Sequence, residues 1–450
     1  MSGRPWTSDE VAAALGVPAP AQLKFTAIST DTRHLTPGTL FVALKGENFD
    51  AHNFLAKAKE QGASAAVVRR GTPKVDGLPF FEVDDTLIAL GLLARARRRM
   101  LPEGTPVVAI TGSSGKTSTK EMIRAALGAR YRVHATAANL NNLVGVPLTI
   151  LAAPEDTEAL VVEAGASVPG EIARLRDIIE PTIAVITNIG YAHVEGFGSL
   201  EGVMAEKLSL LDRVPVAIIG SGPESMWPEA RRRTQVIPAA LPGKSADDSL
   251  LDRYLDKDGH PRLSLDSSER ITLPALGIHQ LENARIALAV AQRAGVDHDA
   301  AVRALAGVQL PEGRGDVREI GDLLVIDDSY NANPASLRRA VQTGAWLARR
   351  QRRPFVVVVG TMLELGPESA RLHAEAAREI AQRKPALVAA VGMFARVFEP
   401  LREVLGGRLI TAADPEALGP KLKSALHGNE LVLLKASRGV ALERVLNYLT

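Results

Sequence analysis

Short runs that are apolar on both faces recur along the chain. They include PVVAIT (106–111), ALVVEAG (159–165), TIAVITN (182–188), PVAIIG (215–220), LLVIDD (323–328), FVVVVG (355–360) and LVLLKAS (431–437). Each is rich in Val, Ile or Leu, and longer stretches of helical period lie between them. Strands buried on both faces and separated by helices belong to parallel sheets covered on either side. The pattern therefore predicts an α/β protein with several sheets. No short-period repeat or low-complexity tract interrupts it.

Two Pro- and Gly-bearing breaks divide this pattern: MLPEGTPV (100–107) and VQLPEGRGDV (308–317). They predict domains over 1–104, 105–312 and 313–450, each of ordinary size. A length of 450 residues agrees, since about 150 residues per domain suggests three. Within the middle piece, 241–274 is less regular, and its DKDGHPRLSLD segment predicts a hairpin with a glycine turn.

Composition narrows the function classes. Hydrophobic residues make up 46% and charged residues 23%, a globular balance. Net charge is +2 from 53 basic and 51 acidic groups, so no basic sheath for nucleic acid exists. Aromatics, at 4%, are too sparse for a base-stacking platform. The basic runs RARRR (95–99) and RRQRR (349–353) fall at expected helix ends and read as solvated faces. With no cysteine, disulfides, thiolate metal sites and cysteine nucleophiles are excluded. No apolar run approaches the ~20 residues of a membrane span, and MSGRPWTSDE has no signal-peptide core. A cytoplasmic location is expected.

Chemistry concentrates in ITGSSGKTSTKEM (110–122). A strand, a Gly-rich turn and a helix N-terminus form the setting of a phosphate-binding loop. The amides from Ser113 to Lys116 are expected to face the phosphates, assisted by the helix dipole. Lys116 would reach the β- and γ-phosphates and the Thr117 hydroxyl would ligate magnesium. The general pattern G-x-x-x-x-G-K-[ST] wants glycine at 110, where this chain has Ile110.

Two further residues fall at predicted strand ends, Glu163 in VVEAGAS and His193 in TNIGYAHVEGFGS. Ligands of parallel sheets collect at the carboxyl ends of strands. Alone, Glu163 reads as a cap or ion-pair partner and His193 as a surface histidine; only their placement beside the loop points to a shared metal pocket. Lys207, in MAEKLSLL, reads on its own as an ordinary helix lysine.

The order and spacing of TGSSGKTSTKEM, NLNNLVGVPLTIL (139–151), EAGAS, ITNIGYAHVEGFGS, GIHQLENARIALA (277–289), EGRG (312–315), DDSYNANPASL (327–337) and KASRGVALERVLNYL resemble the Mur ligases of peptidoglycan synthesis. The resemblance covers almost the whole chain. DDSYNANP with GTMLELG (360–366) is similar to the branch that joins D-alanyl-D-alanine to UDP-N-acetylmuramoyl-tripeptide. It implies a uridine-nucleotide-binding α/β domain, a central P-loop-type parallel-sheet ATPase domain and a C-terminal Rossmann-like α/β domain.

The same resemblance implies roles for individual residues. Gly112, Ser113, Ser114, Gly115, Lys116, Thr117 and Ser118 would bind the ATP triphosphate, with Asn283 at the adenine. Arg314 would meet the phosphates, Asp328 the ribose, and Tyr330 would lie against the nucleotide. Thr117, Glu163, His193 and a carbamylated Lys207 would hold Mg2+; Lys116, His193, Lys207 and Arg314 would carry catalysis. Ser29, Asp31, Thr32 and Arg33 fall in the uridine-binding segment, and Asn139, Asn141 and Asn142 on the muramyl side. The implied protein is a monomer that makes an acyl phosphate from the tripeptide carboxylate. The competing readings are another Mur-type or folylpolyglutamate-type amide ligase, a P-loop ATPase switch, and a non-catalytic binding protein of the same fold.

Overall fold

The computed structural model describes residues 4–241 and 248–449. Three main sheets follow one another along the chain. The first holds β1 (Ala27–Ser29), β2 (Thr39–Val42), β3 (Ala63–Arg69) and β4 (Phe80–Val83), parallel and in sequence order. Helix α1 (Thr86–Arg99) then leads to the second sheet.

That sheet opens with β5 (Val107–Thr111), followed by the loop and α2 (Lys116–Gly128). Its other strands are β6 (Val133–Ala135), β7 (Ala159–Glu163), β8 (Ile183–Asn188), β9 (Val216–Ser221) and β10 (Gln235–Pro238). All pair in parallel in the order β10-β9-β8-β5-β7-β6. The chain moves from β5 to one side, then returns past it to β8 on the other. That reversal opens a crevice at the carboxyl end of β5. Register sets what lines it, because Ile110 stands beside both Glu163 and Val185.

Every residue of β5 is buried, as its unbroken apolar run predicts. Along α2, Met122, Ile123, Ala126 and Leu127 recur at helical spacing and are fully buried. They pack with Ala287, Val290 and Ala291 of α3 (Ile278–Arg293). Burying each of the large side chains contributes roughly 1.5–3 kcal/mol, which holds the loop-bearing helix rigidly to the sheet.

The third sheet contains β11 (Asp316–Ile320), β12 (Leu323–Asp327), β13 (Phe355–Val359), β14 (Leu387–Val391), β15 (Leu409–Ala412) and β16 (Leu431–Lys435). Its order is β11-β12-β16-β13-β14-β15, parallel except for the β11 edge. Helix α4 (Pro334–Gln351) crosses between β12 and β13. Asn333 caps it in a reciprocal capping box, with Pro334 in its first turn.

Two expectations need correction. The RARRR run is not a solvated face. Arg97 is only 2% exposed, and its guanidinium donates to the Ala153 carbonyl at 2.8 Å and the Pro154 carbonyl at 3.1 Å. Arg98 donates to the carbonyls of Ile179 and Glu180, while Arg95 and Arg99 pair with the Glu180 carboxylate. The accepting groups lie at or just beyond the C-terminal ends of the helices Gly145–Leu151 and Glu171–Ile179. Helix C-termini present unpaired carbonyls and partial negative charge, and the arginines satisfy both. The run therefore fastens α1 to the second sheet's helices. RRQRR is likewise engaged in part, through Arg349 with Asp248 and Arg350 with Asp252.

The hairpin of the middle piece also differs from expectation. Gly259 does form a turn, but it closes only the single bridge Leu255↔Pro261. The two-stranded ladder pairs Arg262–Ser264 with Arg270–Thr272, around a turn with Ser268 at φ +67°. Residues 242–247 of that stretch lie outside the described residues.

Candidate active site

The loop between β5 and α2 explains the missing front glycine. Ile110 is still inside the strand and fully buried, so the position calls for a core side chain. Close approach begins at Gly112, whose φ is +154°; a Cβ there would lie 1.9 Å from Thr187 Oγ1. Gly115, at φ +76°, is the N-cap of α2 and brings no side chain to its cap.

Not all the expected amides face the cleft. Ser113 N–H donates to the Asn188 carbonyl at 3.0 Å, and Ser114 N–H to Asn188 Oδ1 at 3.1 Å. Asn188 ends β8, beside β5, and uses both groups to shape the turn. The first bond within α2 runs from Thr119 N–H to the Gly115 carbonyl. The amides of Gly115, Lys116, Thr117 and Ser118 are therefore the ones without helical partners, and they make a cradle suited to an anion.

Around this cradle lies a cleft of about 300 Å³, lined from both the second and third sheets. Thr117 Oγ1 donates to Glu163 Oε2 at 3.0 Å, and Asn141 Nδ2 donates to Glu163 Oε1 at 2.9 Å. Lys116 Nζ rests on the Gly112 carbonyl at 3.0 Å. Burial draws the Lys116 ammonium below the ordinary lysine range, opposed by the Glu163 charge. Arg314 reaches across to Thr117 Oγ1 at 3.1 Å, with its guanidinium 4.2 Å from the Tyr330 ring centre. Asp328 pairs with Lys435 at 2.7 Å, and its burial raises the carboxyl above the usual range. His193 closes one side, its Nδ1 2.5 Å from Glu364 Oε2.

Comparison with known proteins decides the family. Residues 24–98 match the profile described as Mur ligase family, catalytic domain; 110–291 match the Mur ligase middle domain; 313–438 match the Mur ligase glutamate ligase domain. The UDP-N-acetylmuramoyl-tripeptide–D-alanyl-D-alanine ligase of Bacillus subtilis is 35% identical, over 93% of this chain and 92% of its own. That of Escherichia coli is 36% identical, over 95% and 94%. The chain belongs to the Mur ligase family. A MurF crystal structure from Acinetobacter baumannii superposes with a TM-score of 0.86 at 30% identity, covering 100% of this chain and 99% of that one. MurF from Thermotoga maritima, solved in complex with ADP, gives 0.80 at 30% identity, covering 94% and 96%.

This Mur ligase gathers most of the expected residues into one cleft. Ser113, Ser114, Gly115, Lys116, Thr117, Ser118, Asn139, Asn141, Glu163, His193, Asn283, Arg314, Asp328 and Tyr330 all line it. Gly112 lies just behind, at the root of the loop. Asn142 turns away and accepts the amides of Val144 and Gly145. Ser29, Asp31, Thr32 and Arg33 sit apart, at the end of β1 and in the turn after it, where Asp31 binds the Arg33 guanidinium at 2.7 Å. Lys207 is not on the cleft wall. It is buried behind it, 2% exposed, and desolvation with the neighbouring Lys116 charge lowers its pKa to about 7.

Several residues of this Mur ligase site lie inside the quoted motifs but were assigned no role there. Asn188 and Thr187 hold the loop from β8, Thr187 Oγ1 donating to the Ser114 carbonyl at 2.6 Å. Asn333 donates to the Ser113 carbonyl at 3.3 Å from the cap of α4. His279 also lines the cleft, and burial lowers its pKa to about 3, so it stays neutral. The TN pair closing TIAVITN was the available signal for Thr187 and Asn188: polar residues at the carboxyl end of an otherwise apolar strand. Asn333 and Lys435 lie inside quoted motifs, but what they bind depends on docking of distant segments, which no local pattern shows.

Proposed function

We propose that the protein joins D-alanyl-D-alanine to UDP-N-acetylmuramoyl-tripeptide at the expense of ATP, giving the pentapeptide precursor of peptidoglycan, ADP and phosphate. Its relatives carry that name, and the observation that supports it best is the cradle itself. Free helix amides, Lys116 and Arg314 converge there beside the Glu163 carboxylate, with groups from the third sheet completing the wall. We propose functional domains over 1–104, 105–312 and 313–450, and a cytoplasmic location in keeping with the absence of cysteine.

The physical problem is charge. A carboxylate must approach a γ-phosphate, and two unit charges ~4 Å apart repel by about 4 kcal/mol at an effective dielectric near 20. Lys116 and Arg314 offset that repulsion and stabilise charge spreading over the transferring phosphoryl group. ATP supplies the phosphoryl group that turns the carboxylate oxygen into a good leaving group. The acyl phosphate then accepts the amine of D-alanyl-D-alanine. Asn283 against the adenine, Asp328 at the ribose and the Arg314–Tyr330 stack would orient the nucleotide. Packing of the third sheet's residues over the loop keeps water from the acyl phosphate.

Mg2+ fits this donor set. The Thr117 hydroxyl and Glu163 carboxylate offer hard oxygens 3.0 Å apart, of the kind magnesium selects. His193 completes the wall, and a Lys207 amine with a pKa near 7 is neutral often enough to take up CO2 as a carbamate ligand. When bound, the ion draws charge from the phosphate oxygens.

ADP release measured with UDP-muramyl tripeptides tests the reading, with and without D-alanyl-D-alanine. Turnover that needs both substrates supports it. Equal turnover with free amino acids, or with no muramyl peptide, refutes it.

A further inference from the structure

Glu364 belongs to none of the expected site residues, yet it reaches the cleft wall from the third sheet's side. It sits in the loop after β13, and its backbone, at φ +63°, is left-handed. The His193 backbone is left-handed too, at φ +55°. Neither residue is glycine, and such conformations persist only where surrounding structure enforces them.

The enforcing contacts are visible on both sides. Glu195 N–H donates to the Glu364 carbonyl at 3.3 Å. Gly366 lies so close to Glu195 that an added Cβ would come within 3.3 Å of its Cα. On the third sheet's side, Met362 N–H donates to His373 Nε2 and Leu363 N–H to Ser437 Oγ, both at 2.9 Å. Met362 and Leu365 are each 1% exposed. Glu364 is therefore presented from a fixed support, and its Oε2 lies 2.5 Å from His193 Nδ1.

We infer that Glu364 is a positioning residue: docking of the third sheet's loop onto the His193 turn fixes that imidazole with its proton on Nδ1, leaving Nε2 as the cation-binding atom. A carboxylate only accepts, so the shared proton belongs to Nδ1. A metal-binding histidine is normally oriented this way by a carboxylate on its other nitrogen. Here that carboxylate comes from a different sheet. It follows that a complete divalent-cation site exists only while the two parts of the chain are docked. The inference rests on the reading of His193 as a cation ligand.

The test uses the full-length chain with a non-hydrolysable ATP analogue. Nitrogen-15 NMR reads the His193 tautomer, and Mn2+ titration by electron paramagnetic resonance reads the cation site. Glu364→Ala should shift the ring toward the Nε2–H tautomer and weaken Mn2+ by about 10- to 100-fold, with nucleotide affinity in the absence of metal unchanged. E364Q, which still accepts from Nδ1, should retain the Nδ1–H tautomer and lose less. Glu375→Gln, an exposed neighbour paired with Arg371, should behave as wild type. If His193→Ala weakens Mn2+ and Glu364→Ala moves neither tautomer nor affinity, this inference is overturned while the ligand reading stands. If His193→Ala leaves Mn2+ binding intact, the ligand reading itself falls and carries the inference with it.

Discussion

Gly112→Ala probes the loop at its tightest point. The new Cβ would lie 1.9 Å from Thr187 Oγ1, 3.1 Å from Thr187 Cβ and 3.2 Å from the Asn188 amide nitrogen. Thr187 cannot yield freely, because its hydroxyl holds the Ser114 carbonyl at 2.6 Å. Breaking that bond costs about 1 kcal/mol, because Asn188 Nδ2 still donates to the same carbonyl at 3.0 Å. Holding alanine at φ +154° adds about 1–3 kcal/mol. The sum, about 2–4 kcal/mol, corresponds to a loss of ATP affinity between about 30-fold and about 700-fold if the loop must be restored to bind. Calorimetric titration with ATP, and separately with UDP-muramyl tripeptide, measures it; only the ATP arm should suffer. Thr187→Ala alone removes one hydrogen bond, worth about 1 kcal/mol, and should weaken ATP about fivefold. In the double variant the nearest remaining contact is the 3.1 Å one to Cβ. It should bind ATP about as well as Gly112→Ala rather than about fivefold worse, a non-additivity expected of residues in contact. An unimpaired single variant, or a double about fivefold worse than the single, would refute the account of the loop.

Lys116→Ala should abolish ligation while leaving uridine-nucleotide binding nearly intact; equal loss of both in the same binding and turnover assays would contradict the domain assignment. Arg97→Met strands the Ala153 carbonyl, while that of Pro154 keeps the Thr157 amide and hydroxyl as donors, at a cost of roughly 1–3 kcal/mol. It should lower the thermal midpoint and ease proteolysis between α1 and β5, whereas Arg70→Met, at an exposed pair, should change little. Lys207 gives a pH dependence of known sign. Its pKa is about 7 folded against an ordinary 10.5, so above pH 7 the unfolded chain holds a proton that the folded one has released. Stability should rise with pH across roughly 7–10.5, by at most about 1.4 kcal/mol per unit. In CO2-free buffer the gain in thermal midpoint between pH 7 and 9 should shrink in Lys207→Met, and an unchanged gain would count against the buried amine.

What the order of residues determined by itself is local. Unbroken runs such as VVAIT and FVVVV have no polar face to offer water, so they become central parallel strands wherever helices follow them. GSSGKTS after such a strand is a turn into a helix N-terminus, and its charge chemistry follows from free amides alone. The family's contiguous motifs carried Glu163, Arg314, Asp328 and Tyr330 to the same cleft. The tertiary structure decided everything that depends on two distant segments meeting. Arg97 and Arg98 look like solvent residues until helix C-termini some fifty to eighty positions away arrive with unpaired carbonyls. Ser113 and Ser114 look like phosphate donors until Asn188 takes their amides. His193 has no fixed ring until Glu364 docks against it. Hydrophobic period reports which face a segment buries, whereas a polar group's partner depends on the angle and register at which whole elements pack, and no local pattern encodes that.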